Sequence, residues 1–263
     1  MRDEVLESIE QYTSVWKVFV AESPGADIRE KPGLSICWAD SPFPFWNAIF
    51  ITEPSLDAAG LNSRLKEAAE YARQKREPGL IYVCEEHLTS SARAGLPAAL
   101  TEAGVELSLP VHGMAGDIPP LAPSRRPALQ MRRVTEEAQL MLFADINCEG
   151  YGFPLDWGRA GLRGMRLWTD RAFSYVGFEG DRAVCCASVI AHDGSLYLAL
   201  VATRPSAQRK GYGEAVVRHT LRSAHDSTGL CRTILHASDA GMPVYRRVGY
   251  HKTASFFAYK LSK

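Results

Sequence analysis

The sequence predicts an α/β chain, of the α+β mixed-sheet kind, in two tandem domains that each set a central, mostly antiparallel sheet between helices. Three observations predict it. The chain has 263 residues, long for one average domain and comfortable for two. The stretch Asp117 to Pro127, DIPPLAPSRRP, is too rich in proline to continue regular structure, so it marks a linker (117–127) between domains at 1–116 and 128–263. The halves on either side run in a similar strand, strand, helix, strand, helix order.

In the first half, Val5 to Phe19 reads as a helix because Val5, Ile9, Tyr12 and Trp16 recur at helical spacing. Gly33 to Trp38 and Asn47 to Thr52 read as strands, separated by a turn at Asp40-Ser41-Pro42-Phe43-Pro44. Leu61 to Lys75 puts Leu61, Leu65, Ala68, Ala69 and Ala72 on one face and Arg64, Lys66, Glu67, Glu70 and Arg73 on the other. Pro78-Gly79 stops that helix. Leu80 to Cys84 is a strand, and Ala92 to Ala103 is a helix closed by Gly104.

The second half opens with a strand, Leu129 to Arg133, and a helix, Thr135 to Glu149, with Thr135 as N-cap ahead of Glu136 and Glu137. The next stretch, GYGFPLDWGRAG, scatters aromatics among glycines and reads as an irregular lid. Phe173 to Glu179 and Ala183 to His192 form a hairpin across Gly180-Asp181. Gly194 then turns the chain into an apolar run, Leu196 to Ala202, whose Leu, Tyr and Val suit a buried strand, and Arg204-Pro205 cuts it short. Gln208-Arg209-Lys210-Gly211-Tyr212-Gly213 leads into Glu214 to Ala224, where Val216, Val217, Thr220 and Leu221 share a helix face.

Strand, glycine-rich loop, helix is an order suited to phosphate. Backbone N–H groups at a helix N-terminus are unpaired and carry the positive end of the helix dipole. Gly211 and Gly213 let the main chain come close to a diphosphate and take positive φ, while Arg209 and Lys210 add charge. The loop is neither of two familiar nucleotide motifs: no Gly-Lys-Ser/Thr follows it, and Glu214 to Val217 holds no third glycine. Taken alone, Gly-x-Gly is also compatible with an ordinary strand-to-helix turn carrying solvated basic residues.

QRKGYG, Gln208 to Gly213, resembles the Gln/Arg-x-x-Gly-x-Gly/Ala signature of the GCN5-related N-acetyltransferases, with Arg204-Pro205 placed where that family often has its proline. Ala237 to Tyr250, ASDAGMPVYRRVGY, resembles the family's second landmark, a helix ending in Tyr-x-x-x-Gly-Phe/Tyr. Order and spacing match, and the resemblance covers about Gln130 to Leu261. It implies tandem acyl-CoA N-acyltransferase-like domains, the first a degenerate copy without the loop between Thr52 and Leu61, and acetyl-CoA as cofactor.

Acyl transfer from a thioester to an amine needs a bound donor, a hydrogen bond to the carbonyl oxygen as it gains charge, a route for the amine proton, and an acid for the leaving thiolate. A strand near the end of Leu196 to Thr203 can supply a free N–H if a bulge interrupts its ladder. The resemblance assigns the Val201 N–H to the acetyl carbonyl, Ala202 and the Thr203 N–H to the pantetheine arm, and Gln208 with Arg209 to Glu214 to the diphosphate. It makes Tyr245 the proton donor to the departing sulfur. Ser238 stands where many relatives carry an asparagine that steadies the pantetheine, and Tyr197 stands where some carry a glutamate base. A base would then come from Glu149, Asp193 or His192. The lid region implies an acceptor pocket lined by Cys148, Glu149, Tyr151, Phe153 and Trp157, although such aromatics also serve as anchors into a domain core.

A formal net charge of zero favours neither nucleic acid nor an acidic membrane surface. The charged N-terminus, MRDEVLESIEQ, has no apolar signal core and no run of 18 apolar residues occurs, so a soluble cytoplasmic protein is expected, as monomer or homodimer. The six cysteines lack ligand spacing and are expected as buried free thiols, and with no His-Glu-x-x-His among the seven histidines no metal is expected. The acceptor is a small amine or a peptide amine. The chain thus reads as an N-acetyltransferase working by direct transfer, with a CoA-sensing module as the alternative.

Overall fold

A computed structural model describes residues 3–118 and 128–262, so the expected linker lies outside the described residues from 119 on. Two compact units emerge. One comprises residues up to Gly113 with 236–240 and 252 onward; the other comprises Met114–Leu235 and Gly241–His251. The expected domains followed the chain in sequence, whereas the compact units divide it into alternating segments.

The first unit starts with α1 (Glu4–Val20), where the Asp3 carboxylate accepts from the Val5 and Leu6 N–H groups, and Ile9, Tyr12, Val15, Trp16 and Phe19 are buried. A hairpin of β1 (Asp27–Lys31) and β2 (Leu34–Trp38) turns at Gly33, φ +76°. β1 was missed because its DIREK sequence has no apolar alternation and its side chains face solvent. β3 (Asn47–Ile51) follows, then α2 (Ala58–Arg73), where Asp57 caps the Gly60 N–H at 2.7 Å. β4 (Leu80–Cys84) and α3 (Ser90–Ala103), ended by Gly104 at φ +65°, lead to β5 (Val105–Asp117). β5 also escaped notice, since Pro110, Gly113 and Gly116 punctuate it. The predicted inner face of α2, Leu61, Leu65, Ala68, Ala69 and Ala72, packs with Ile49, Ile81 and Val83 in the core.

In the second unit, β6 (Gln130–Arg133) precedes α4 (Glu137–Tyr151). Thr135 is not the cap. Gln139 reaches back instead, its Oε1 accepting from the Thr135 N–H at 2.7 Å. The expected irregular lid contains a helix, α5 (Leu155–Leu162). It forms because packing against α4 overrides its glycines: a Cβ at Gly158 would collide with Cys148 Sγ, and Arg159 grips Asp145 through two bonds of 2.7 and 2.9 Å. β7 (Phe173–Glu179), β8 (Arg182–His192) and β9 (Ser195–Thr203) run antiparallel in succession, and α6 (Tyr212–Thr228) crosses to β10 (Arg232–Ala237), parallel to β9. α7 (Met242–Val248) and β11 (His251–Leu261) complete the chain.

β11 pairs antiparallel with β4, Phe256 opposite Cys84, which is why the C-terminal strand counts with the first unit. The strand order is β1-β2-β3-β4-β11-β5 in the first unit and β5-β10-β9-β8-β7-β6 in the second, with Met114–Asp117 of β5 in the latter. Each unit is thus a mixed α/β layer with a largely antiparallel sheet. Among the described residues no helix is long and apolar enough to cross a membrane, and no three His, Cys, Asp or Glu side chains converge as a metal site. Five cysteines are buried free thiols, and burial pushes Cys37, Cys84 and Cys185 up to about 12; Cys231, contrary to expectation, is exposed.

Within the first unit the His236 ring stacks on Tyr12, centroids 3.5 Å apart, and its Nε2 lies 3.1 Å from Ser8 Oγ. Burial holds its pKa well below the ordinary 6.5, so the folded protein keeps it neutral. The unfolded chain binds a proton that the folded one refuses, so stability is complete above pH 6.5 and falls as the pH drops below it. Urea midpoints taken from pH 7.5 to 5.0 are expected to decline, by at most about 1.4 kcal/mol per pH unit for this group, and His236→Gln is expected to flatten the slope.

Candidate active site

The site of the second unit is built on an irregularity in β9. Cys186 faces Ala202 and Ser188 faces Ala199, two steps along β8 against three along β9, so β9 carries one residue too many for its partner. Leu200 absorbs the excess at φ +50°, a left-handed conformation that costs a non-glycine residue about 1–3 kcal/mol. The interruption on which a free N–H near the end of Leu196 to Thr203 depended is therefore present. On the other side, β9 pairs with β10 only through Leu196 with Thr233 and Tyr197 with Ile234. Beyond that point, among the described residues, no ladder register joins Leu198–Thr203 to β10, which leaves main-chain groups around Val201 outside that pairing.

Sequence reasoning missed the residue beneath the bulge. Asn147 is fully buried on α4, and its Nδ2 donates to Phe143 O at 3.0 Å and to Cys186 Sγ at 3.2 Å. Cys186 Sγ in turn lies 3.7 Å from Leu200 O. An asparagine in the middle of an apolar helix face was the available signal.

The loop after β9 has the geometry that phosphate requires. Arg209 sits at φ +62° and Gly211 at φ +85°, and Gly211 precedes α6 with no side-chain cap. The first bond of the helix is Ala215 N–H to Gly211 O, so the N–H groups of Tyr212, Gly213 and Glu214 are unspent within it. Gly213, expected at positive φ, instead takes helical backbone as the second residue of α6 and serves by close packing on β9: a Cβ there would stand 3.3 Å from Thr203 Oγ1, while Gln208 Nε2 donates to Thr203 O at 3.2 Å. These residues fit a diphosphate, whose oxygens accept from just such amides.

Side chains of the loop are mostly engaged elsewhere. The Tyr212 hydroxyl donates to Glu179, and Lys210 Nζ lies 3.8 Å from the same carboxylate. Glu214 is held by Arg218 at 3.0 Å and Arg247 at 2.9 Å; burial alone would raise its carboxyl, but hydrogen bonds from Arg247 and Arg218 outweigh that and hold it below the usual range. What this loop offers an anion is its backbone, with exposed Arg209 as formal charge.

Tyr245 is 9% exposed on α7, and its hydroxyl makes no hydrogen bond among the described residues. Burial, then the neighbouring phenols of Tyr151 and Tyr250, push its pKa well above the ordinary 10. It is a protonated phenol at neutral pH, able to give a proton.

On the acceptor side, the Tyr151 hydroxyl donates to Val201 O at 3.2 Å. Tyr151 and Phe153 lie 6.2 Å apart between centroids and Phe153 and Trp157 6.1 Å, a row of aromatic faces leading away from the bulge. Glu149 is close by but ion-paired with Arg204. Cys148 is fully buried and lines nothing, a correction explained by the tight packing of Gly158 over its sulfur. His192 and Asp193 are also corrected as bases: they pair with each other, 3.1 Å apart, at the β8–β9 turn, where His192 faces Ser195, about six residues or ~20 Å of strand from Val201. Tyr197 is fully buried at the paired end of β9. Ser238 falls in the 236–240 segment of the first unit, half-buried.

The family model described as acetyltransferase (GNAT) domain matches residues 162–260. No curated protein matches the chain. Among solved structures, a GCN5-related N-acetyltransferase from Kribbella flavida is 18% identical with a TM-score of 0.70, over 97% of this chain and 96% of that one. A functionally unknown conserved protein from Staphylococcus epidermidis is 12% identical with a TM-score of 0.65, over 93% and 98%. A GCN5-related N-acetyltransferase from Sphaerobacter thermophilus is 14% identical with a TM-score of 0.60, over 87% and 76%. The C-terminal region therefore carries the GNAT fold, which is consistent with acetyl-CoA-dependent transfer.

Proposed function

We propose that this chain is an acetyl-CoA-dependent N-acetyltransferase that moves an acetyl group to an amine by direct transfer in a ternary complex, without a covalent acyl-enzyme. The observation that carries the reading is the bulge at Leu200 in the same unit as a helix N-terminus that begins on Gly211 with no side-chain cap. When bound, acetyl-CoA supplies the acetyl group as a thioester activated toward amines. The amides of Tyr212, Gly213 and Glu214 hold its diphosphate, Ala202 and Thr203 guide the arm, and the Val201 N–H meets the carbonyl oxygen as charge builds there. Tyr245 protonates the sulfur that leaves. With Glu149 engaged by Arg204, the amine enters neutral and gives up its proton to water.

The experiment is a differential melt with acetyl-CoA followed by assay of thiol release over a panel of amines. Ligand at 100 times its dissociation constant stabilises the fold by about 2.7 kcal/mol. Binding with thiol release supports the enzyme. Binding with no release across the panel supports a second reading, a CoA sensor, which the pairing of Glu149 favours; no binding removes both.

We further infer that the first unit is a degenerate copy of the second. β1/β2 and β2/β3 antiparallel with β3/β4 parallel repeat the pairings of β7/β8, β8/β9 and β9/β10, and α2 crosses as α6 does. The copy departs where a cofactor would enter. β2 and β3 keep unbroken register, Leu56 bridges Leu88 beyond the β3/β4 ladder, and the Asp57 carboxylate covers the α2 N-terminus, where it would repel phosphate. Isothermal titration is expected to give one acetyl-CoA per chain; two would overturn the inference.

A further inference from the structure

We propose that the acceptor is a primary monoamine carried on a flat apolar group, an arylalkylamine, lying along the row Tyr151, Phe153 and Trp157. The proposal rests on the acetyltransferase reading and adds the chemistry of its second substrate. Five large apolar side chains are exposed among the described residues; Leu6, Ile28 and Leu107 are dispersed over the first unit, whereas Tyr151, 42% exposed, and Trp157, 36% exposed, fall within seven residues of each other in the second. Phe153, half-buried, lies between them in sequence, with interplanar angles of 21° to Tyr151 and 33° to Trp157, so the three ring planes are similarly oriented. Clustered exposed rings are a binding feature rather than ordinary surface.

The row starts at the reacting strand, since the Tyr151 hydroxyl is bonded to the carbonyl of Val201. A ligand stacked on it places an amine on a short alkyl arm toward that strand. Charge selects against the other amine classes. The carboxylates of α4 beside the row are neutralised, Glu149 by Arg204 and Asp145 by both arms of Arg159, and Asp156 points to solvent 4.0 Å from Arg159. Of these carboxylates only Asp156, 94% exposed, stays open to an ammonium group, whereas a polyamine or a lysine-rich peptide carries several that need such partners. Apolar walls also favour the neutral amine, the form with a lone pair to give. In the transfer that lone pair forms the C–N bond, the C–S pair leaves on sulfur, the nitrogen proton passes to water, and Tyr245 protonates the sulfur before regaining its proton from solvent.

The test compares phenethylamine and tryptamine with spermidine and a lysine peptide, by thiol release and by calorimetric binding of phenethylamine to protein saturated with CoA. Arylalkylamines are expected to exceed the others by about 10-fold or more in kcat/KM. Trp157→Ala is expected to weaken phenethylamine binding by about 10-fold, Trp157→Phe to restore most of it, and neither to change the melting shift given by acetyl-CoA. Preference for spermidine or the peptide, or unchanged phenethylamine binding in Trp157→Ala, overturns the acceptor assignment while leaving the acetyltransferase reading standing. Loss of the acetyl-CoA shift in the unaltered protein overturns both.

Discussion

Tyr245→Phe is expected to lower turnover by about 100-fold or more while leaving the affinity for acetyl-CoA nearly unchanged. The substitution removes one oxygen and keeps the ring, whose packing at 5.9 Å against Tyr250 belongs to the α7 core. Among the described residues the hydroxyl holds no other side chain in place, so its loss strands no partner there. Its value lies in the proton. Because burial raises the phenol well above 10, it is protonated throughout the neutral range, and the acid-dependent step keeps its rate as pH rises until the phenol ionises. The measurement is steady-state kinetics from pH 6 to 9 with the dissociation constant of acetyl-CoA determined separately. Equal turnover in the Phe variant would remove Tyr245 from the mechanism.

Gly211→Glu is expected to abolish the acetyl-CoA melting shift, a loss of about 100-fold or more in affinity. Two effects act together. A side chain at φ +85° is strained by about 1–2 kcal/mol, which shifts the loop, and a carboxylate there meets the negative phosphates head-on. Folding survives, because an acidic group at a helix N-terminus is itself favourable and offsets part of the strain. Gly211→Asn separates the two effects: asparagine tolerates the left-handed conformation and carries no charge, so that variant is expected to keep most of the shift. An undiminished shift in Gly211→Glu would mean that the diphosphate lies elsewhere.

The strand, loop and helix from Ser195 to Thr228 were legible as a unit because each part declares itself locally: an apolar run, a glycine, Gly211, where φ turns positive, a 3.6-residue stripe. The inner face of α2, the Gly104 stop of α3 and the β7–β8 hairpin were legible for the same reason. The aromatic residues 151, 153 and 157 were legible as a group, though not as a row beginning at Val201 O.

Other features depend on partners remote in sequence. Leu200 is an ordinary strand residue by type, and only the fit of the nine β9 residues against the eight of Cys185–His192 forces it to positive φ. α5 contains two glycines that argue against a helix, and forms because Cys148 and Asp145 wait on α4 to receive Gly158 and Arg159. β11 joins β4 across some 170 residues of chain, a pairing that no local propensity encodes. Caps, turns and helix stripes are short-range consequences of residue type and were readable from the chain alone; register, bulges and the choice of strand partners are settled by which surfaces the assembled layers bury, and only the folded molecule decides those.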